Sequence, residues 1–161
     1  MGRFFTRPEL IEQRKHWRAA GQVVVFTNGC YDLVHPGHIR LLERARSLGD
    51  LLIVALNSDD SVRRMKGRAR PLCPEQDRIR LMCALEAVDA VTVFEEDTPR
   101  RLIAELLPDI LVKGGDWAHF VAGREEVEAA GGRVELLPLE PGYSTTGLEE
   151  EILRRASDAA L

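Results

Sequence analysis

The sequence predicts an α/β protein: a Rossmann-like, doubly wound parallel sheet of about five strands with flanking helices. Three observations predict it. Short apolar runs recur at residues 23–27, 51–56, 90–94, 109–113 and 133–137. Segments with apolar residues at helical spacing separate them, and strands alternating with helices build a parallel sheet. The run Leu51-Leu52-Ile53-Val54-Ala55-Leu56 is apolar at every position, as a strand covered on both faces must be.

Taken in order, residues 1–21 read as a helical extension, with Thr6 as its cap, Pro8 and Glu9 in its first turn, and Leu10, Ile11 and Trp17 as anchors. The first strand is 23–27. A helix follows from about Pro36 to Leu48, since Ile39, Leu41, Leu42, Ala45 and Leu48 are apolar and Arg40, Glu43, Arg44 and Arg46 are not. Gly49-Asp50 turns into the second strand, making a right-handed crossover. Ser58 or Asp59 caps a short helix towards Met65, and a basic loop runs from Lys66 to Pro71. Pro74-Glu75 opens a helix whose apolar stripe extends to Val88. After the third strand, Thr98-Pro99 caps a helix to about Leu107. The fourth strand ends at Gly114-Gly115-Asp116. A helix at about 121–130 closes on Gly131-Gly132 and leads to the fifth strand. Residues 142–146 lead to a last helix through Leu153, and the tail from 156 is expected to fray.

At 161 residues the chain suits one domain with a full core, without repeat, linker or low-complexity stretch. A net charge of −4 argues against a basic nucleic-acid-binding face. No apolar run is long enough for a membrane span, and no signal-peptide pattern opens the chain. Three unpatterned cysteines, Cys30, Cys73 and Cys83, suit the cytoplasm.

The chemistry concentrates in Thr27-Asn28-Gly29-Cys30-Tyr31-Asp32-Leu33-Val34-His35-Pro36-Gly37-His38, which joins the first strand to its helix. Backbone N–H groups and the helix dipole favour phosphate there. Gly29 lets a ligand approach the backbone without a Cβ in the way. His35 and His38, three residues apart, can both face one anion. Zinc-binding helical histidines are typically four apart, so no protein metal site is expected. The other polar loops, Asn57–Asp59, Lys113–Asp116 and Ser144–Thr146, also follow strands, so a parallel sheet brings them all to one edge. Lys66 and Lys113 are the only lysines besides Lys15, and each stands beside glycine as a compact charge for phosphate. Asp32, Asp59 and Asp116 suit a ribose, a sugar or Mg²⁺, and equally a cap or a turn. Ser144-Thr145-Thr146 suits a helix cap or a phosphate, which need the same groups.

The histidine stretch resembles the H-x-G-H signature of a nucleotidyltransferase superfamily. Over nearly the whole chain the sequence is similar to the heptose 1-phosphate adenylyltransferase family. The segments that carry this include Leu56-Asn57-Ser58-Asp59, Arg64-Met65-Lys66-Gly67, Phe94-Glu95-Glu96-Asp97-Thr98-Pro99 and Leu111-Val112-Lys113-Gly114-Gly115-Asp116-Trp117. The resemblance implies transfer of AMP from ATP, with Mg²⁺, to a sugar 1-phosphate. His35, His38 and Lys66 would be the catalytic residues. Asn28, Gly29, Cys30, Tyr31, Lys113, Gly114, Asp116, Ser144, Thr145 and Thr146 would join the histidines around the nucleotide. Asp32, Asn57, Asp59 and Lys66 would hold the sugar phosphate. The chain looks like the free-standing form of a domain often fused to a sugar kinase, and a homo-oligomer is expected. Related cytidylyltransferases carry R-T-x-G-I-S-T-T where this chain has Leu139-Glu140-Pro141-Gly142-Tyr143-Ser144-Thr145-Thr146, without the arginine. A cytidylyltransferase for glycerol 3-phosphate and a non-catalytic nucleotide-binding module are the alternative readings.

Overall fold

The computed structural model describes residues 1–115 and 120–159. The elements run β1 (Arg3–Phe4), α1 (Arg7–Ala19), β2 (Val24–Gly29), α2 (Pro36–Arg46), β3 (Leu51–Asn57), α3 (Asp59–Lys66), α4 (Glu75–Ala84), β4 (Ala90–Phe94), α5 (Arg100–Leu106), β5 (Ile110–Gly114), α6 (Arg124–Ala129), β6 (Arg133–Leu137) and α7 (Thr145–Ala159). The strands form one parallel sheet in the order β1-β4-β3-β2-β5-β6.

Each central strand is buried on both faces, so alternate side chains feed two cores. Phe26, Ile53, Ala55 and Phe94 pack with Leu10 of α1 and Leu102 and Ile103 of α5. Val25, Val54, Leu56 and Val91 pack with Leu42 and Ala45 of α2 and Ile79 and Met82 of α4. The order of strands reverses between β2 and β5. Such a switch point is where an open α/β sheet leaves a crevice at its carboxyl edge.

The sheet has six strands, one more than the sequence pattern predicts. The N-terminal segment is therefore more than a helical extension. Gly2 N–H donates to Cys83 O at 2.8 Å, Arg3 N–H to Asp89 O at 3.0 Å and Phe5 N–H to Val91 O at 2.9 Å. Two paired residues are too few to show a period of two. The α4 helix stops at Ala84, short of Val88, because Leu85 turns to φ −75° and ψ 130° to feed β4. The last helix continues beyond Leu153, and beyond position 156, to Ala159.

The amino edge of the sheet is closed by carboxylates. Asp50, Asp89 and Asp109 each accept a backbone N–H from the start of a strand, from Val23, Leu52 and Val24 respectively, all at 2.8 Å. Arg14, 3% exposed, reaches the same edge. It donates to Leu106 O, Leu107 O and Asp109 Oδ2 at 3.2, 2.9 and 3.0 Å. Those bonds stop the end of α5, where Leu107 takes a left-handed φ of 44°.

Candidate active site

The carboxyl edge is built differently. His35 is the N-cap of α2, in extended backbone at φ −136°. Its Nδ1 accepts the His38 N–H at 3.3 Å, and His38 Nδ1 accepts the His35 N–H at 3.4 Å. This is a capping box made from two imidazoles rather than from a hydroxyl and a carboxylate. Because each Nδ1 accepts, the proton of each neutral ring belongs on Nε2. The two rings stack with centroids 3.8 Å apart and 19° between planes. Burial, together with the charge of Lys66 and the neighbouring His35, pushes His38 down to about 4. Burial also lowers His35. Both rings are thus neutral N–H donors near pH 7 in the free protein.

Glycine placement explains why the motif has this spelling. A Cβ on Gly37 would lie 2.9 Å from Tyr143 Cβ and 3.0 Å from His35 Nδ1. The absent side chain lets residues 143–146 lie against the start of α2. A Cβ on Gly29 would lie 2.9 Å from Tyr31 Cε2. The room at Gly29 that the sequence suggests for a ligand is thus taken up in part by a neighbouring ring. Tyr31 adopts φ 48°, is 5% exposed, and packs on His38 at 5.1 Å between centroids.

Across the switch point, Lys113 Nζ on β5 donates to Asn28 Oδ1 on β2. Burial pushes this lysine down to about 8. A cavity of about 370 Å³ opens here. Of the residues expected around the nucleotide, Asn28, Gly29, Cys30, Tyr31, His38, Lys113 and Gly114 line it, and so does Asn57. His35 stacks behind His38 and faces a more open depression on the outer side of α2, of about 440 Å³. That depression touches only one of the chemistry-bearing residues, so the cavity at the switch point is the better site.

Ser144 caps α7, accepting the Gly147 N–H at 3.0 Å. Thr145 and Thr146 begin that helix. The segment is held near the histidines by Tyr143, whose ring stacks 6.1 Å from His35, and by Glu140, which accepts from Arg40 at 2.7 Å and Arg44 at 3.2 Å. Lys66 ends α3 in solvent, and its charge is felt at both His38 and Cys30. Asp116 lies outside the described residues.

The carboxylates expected at the sugar phosphate have partners within the protein. Asp32 accepts Leu72 N–H at 2.9 Å and Cys73 N–H at 2.7 Å, and pairs with Arg70 Nε at 3.1 Å. Arg70 also reaches Glu149 on α7. Asp59 pairs with Arg78 Nη2 at 2.7 Å. The side chain of Asn57 donates to Ser61 Oγ at 3.0 Å and receives the Cys30 thiol at 3.8 Å. Two groups of residues escape the sequence reading. Arg78, 1% exposed, donates to Cys73 O at 3.0 Å and to Cys30 O and Asn57 O at 2.8 Å, stapling three loops beneath the cavity. Its signal is an arginine four residues before Met82 on a buried helix stripe. Asp97, Thr98, Phe120 and Leu139 also line the cavity; the first two lie in a segment that carries the family resemblance, but as a helix start rather than as part of a site.

Among the described residues, no three His, Cys, Asp or Glu side chains gather as a metal site, and no helix is long and apolar enough to cross a membrane.

Comparison with known proteins gives the chain relatives. Residues 26–150 match the cytidylyltransferase-like family. The chain is 57% identical over 142 residues to the bifunctional protein HldE of Trichlorobacter lovleyi, covering 88% of this chain and 29% of that protein. It is 55% identical over 149 residues to the HldE of Pelobacter propionicus, covering 92% of this chain and 30% of that protein. It therefore spans less than a third of the length of these curated relatives. A solved lipopolysaccharide core biosynthesis protein from Thermoplasma volcanium GSS1 superposes with a TM-score of 0.60 at 29% identity, covering 74% of this chain and 98% of that one.

Proposed function

Since the chain belongs to the cytidylyltransferase-like family, we propose that it is a nucleotidyltransferase that moves AMP from ATP to D-glycero-β-D-manno-heptose 1-phosphate. The products are ADP-heptose and pyrophosphate, and the pathway is synthesis of the lipopolysaccharide core or a related glycan. Identity above half to HldE proteins and likeness to a lipopolysaccharide core biosynthesis protein support the substrate. The observation that carries the reaction type is a stacked, neutral imidazole pair whose His38 shares the switch-point cavity with a desolvated lysine, Lys113.

An oxygen of the sugar phosphate attacks the α-phosphorus in line. That bond forms as the bond from the α-phosphorus to the bridging oxygen of pyrophosphate breaks. The attacking phosphate is already ionised, so the step needs no general base. What it needs is positioning and stabilisation of charge on the α-phosphate and the leaving group. His35 and His38 donate through Nε2–H without losing a proton. Lys113 and Lys66 add positive charge, and Ser144, Thr145 and Thr146 offer hydroxyls and helix-start amides to the outer phosphates. Mg²⁺ bound with ATP would neutralise charge on its phosphates. The same reading has the enzyme in the cytoplasm, where ATP is available, acting as a homo-oligomer. The exposed Leu148, Ile152 and Leu153 of α7 suit such an assembly.

The test is to supply ATP or CTP with heptose 1-phosphate, mannose 1-phosphate or glycerol 3-phosphate, and to measure pyrophosphate and the nucleotide sugar. Turnover of ATP with the heptose phosphate is expected. Turnover with CTP alone overturns the reading.

A further inference from the structure

The engaged carboxylates leave a question of chemistry. Asp32 and Asp59 are occupied by backbone amides and arginines, and Asn57 bonds to Ser61 and Cys30. A polyhydroxylated sugar still needs acceptors and donors for its hydroxyls. Resting on the sugar-phosphate reading above, we propose that Asp97 and Thr98 read those hydroxyls and set the choice of acceptor.

The lining of the cavity follows the strand order. Beside β5 it is apolar, with Gly114, Phe120, Ala122 and Leu139. At the β2–β5 switch point it carries the anion-binding groups, His38 and Lys113. At the β3–β4 end it presents Asn57, Asp97 and Thr98. A planar base fits the apolar end and phosphates fit the middle. The acceptor then lies at the end with the carboxylate.

Asp97 is the only carboxylate lining the cavity among the described residues. Negative charge is unfavourable beside phosphates, so this side chain faces the uncharged part of a substrate. One carboxylate can accept from two neighbouring hydroxyls, which suits a vicinal diol. The side chain is exposed at the rim, where an arginine pairs with it. Arg64 Nε donates to Asp97 Oδ1 at 2.8 Å, and the same guanidinium bonds Glu95 O, fixing the loop after β4 to α3. That pairing uses Oδ1 and leaves Oδ2 for a ligand. Thr98 stands where a cap is expected, yet the N-cap of α5 is Pro99, without a side-chain bond. Its hydroxyl is therefore not committed to the helix, and it borders the cavity.

The experiment is steady-state kinetics of Asp97→Asn and Thr98→Val with ATP and heptose 1-phosphate, with mannose 1-phosphate as the shorter acceptor. ATP binding by calorimetry and Tm serve as controls. Losing a charged acceptor for a hydroxyl is expected to raise the sugar-phosphate KM of Asp97→Asn by about 10-fold to 100-fold. The KM for ATP stays within about twofold, and the preference for heptose over mannose narrows. An unchanged sugar-phosphate KM, or an equal rise in the ATP KM, overturns the assignment. If the unaltered enzyme turns over no sugar phosphate while binding ATP, the parent reading falls and this one with it.

Discussion

Two buried arginines sit at opposite edges of the same sheet and do the same kind of work. Arg14 binds two backbone carbonyls and Asp109 at the amino edge. Arg78 binds three backbone carbonyls and Asp59 at the carboxyl edge. Each is nearly inaccessible to solvent. Arg14, however, ties helix to strand where the chain only has to turn. Arg78 ties the loops that carry Cys30, Asn57 and Cys73, two of which line the cavity. The same interaction therefore serves the fold at one edge and the site at the other.

Substitution separates the two roles. Arg78→Met leaves three carbonyls and a carboxylate without their donor. It is expected to cost about 3–5 kcal/mol of stability, and to lower kcat/KM at least 100-fold in the fraction that stays folded. Arg14→Met is expected to cost a similar amount of stability, while the folded fraction keeps kcat/KM within about twofold. Denaturant titration alongside kinetics at a permissive temperature checks both. Equal kinetic damage from the two variants would break the distinction between the edges.

His38→Ala sharpens the contrast from the other side. It removes a donor to charge that develops in the transition state, so kcat is expected to fall by about 100-fold to 1000-fold. The stability cost is small, since the bonds lost are the long, 3.4 Å contact of the imidazole capping box and ring stacking at a partly open site. Rapid-quench measurement of pyrophosphate, with Tm in parallel, reads both effects.

How much of this was legible follows the range of the interactions. The histidine motif, its strand and its helix all lie within one short stretch, Val24 to Arg46, so local pattern and capping chemistry identify them. Convergence of the loops at one edge follows from the parallel sheet. Long-range pairing is what the pattern leaves out. Asp32 bonds the backbone 40 and 41 residues away, which turns an expected sugar ligand into an anchor for the basic loop. Arg78 reaches back 48 residues to Cys30. Gly29 makes room for Tyr31, a relation that depends on the left-handed turn at Tyr31. Strand β1 was hidden because its partner, β4, lies nearly 90 residues further on, at Ala90 and Val91.

Lys113 turns the comparison into a pH profile. Its ammonium is destabilised by burial, and its pKa is pushed down to about 8. The charged form is the one that holds phosphate. It is present below pH 8 and is lost as pH rises through that value. The ATP phosphates are fully ionised there, so kcat/KM for ATP is expected to fall above about pH 8, approaching tenfold per pH unit. In Lys113→Met that fall disappears and the plateau is lower by about tenfold. Linkage gives stability the opposite sense: the unfolded lysine keeps its proton to higher pH than the folded one, so Tm is expected to rise slightly over the range in which kcat/KM falls.

The smallest effect belongs to the centre of the sheet, between the two edges. Thr92 on β4 is fully buried, and its Oγ1 has no hydrogen-bond partner among the described residues. A buried hydroxyl without a partner costs about 1–3 kcal/mol of desolvation. Thr92→Val keeps the β-branched shape, suits a strand and removes the unpaired oxygen. Stability is expected to rise by about 1 kcal/mol, or about 2–4 °C in Tm for a chain of this size. Kinetic constants stay unchanged, because the side chain lies within the core and not in the cavity lining. A fall in Tm would mean that the hydroxyl has a bonding partner, such as a buried water, and that the middle of the sheet is not as inert as its position between the two edges implies.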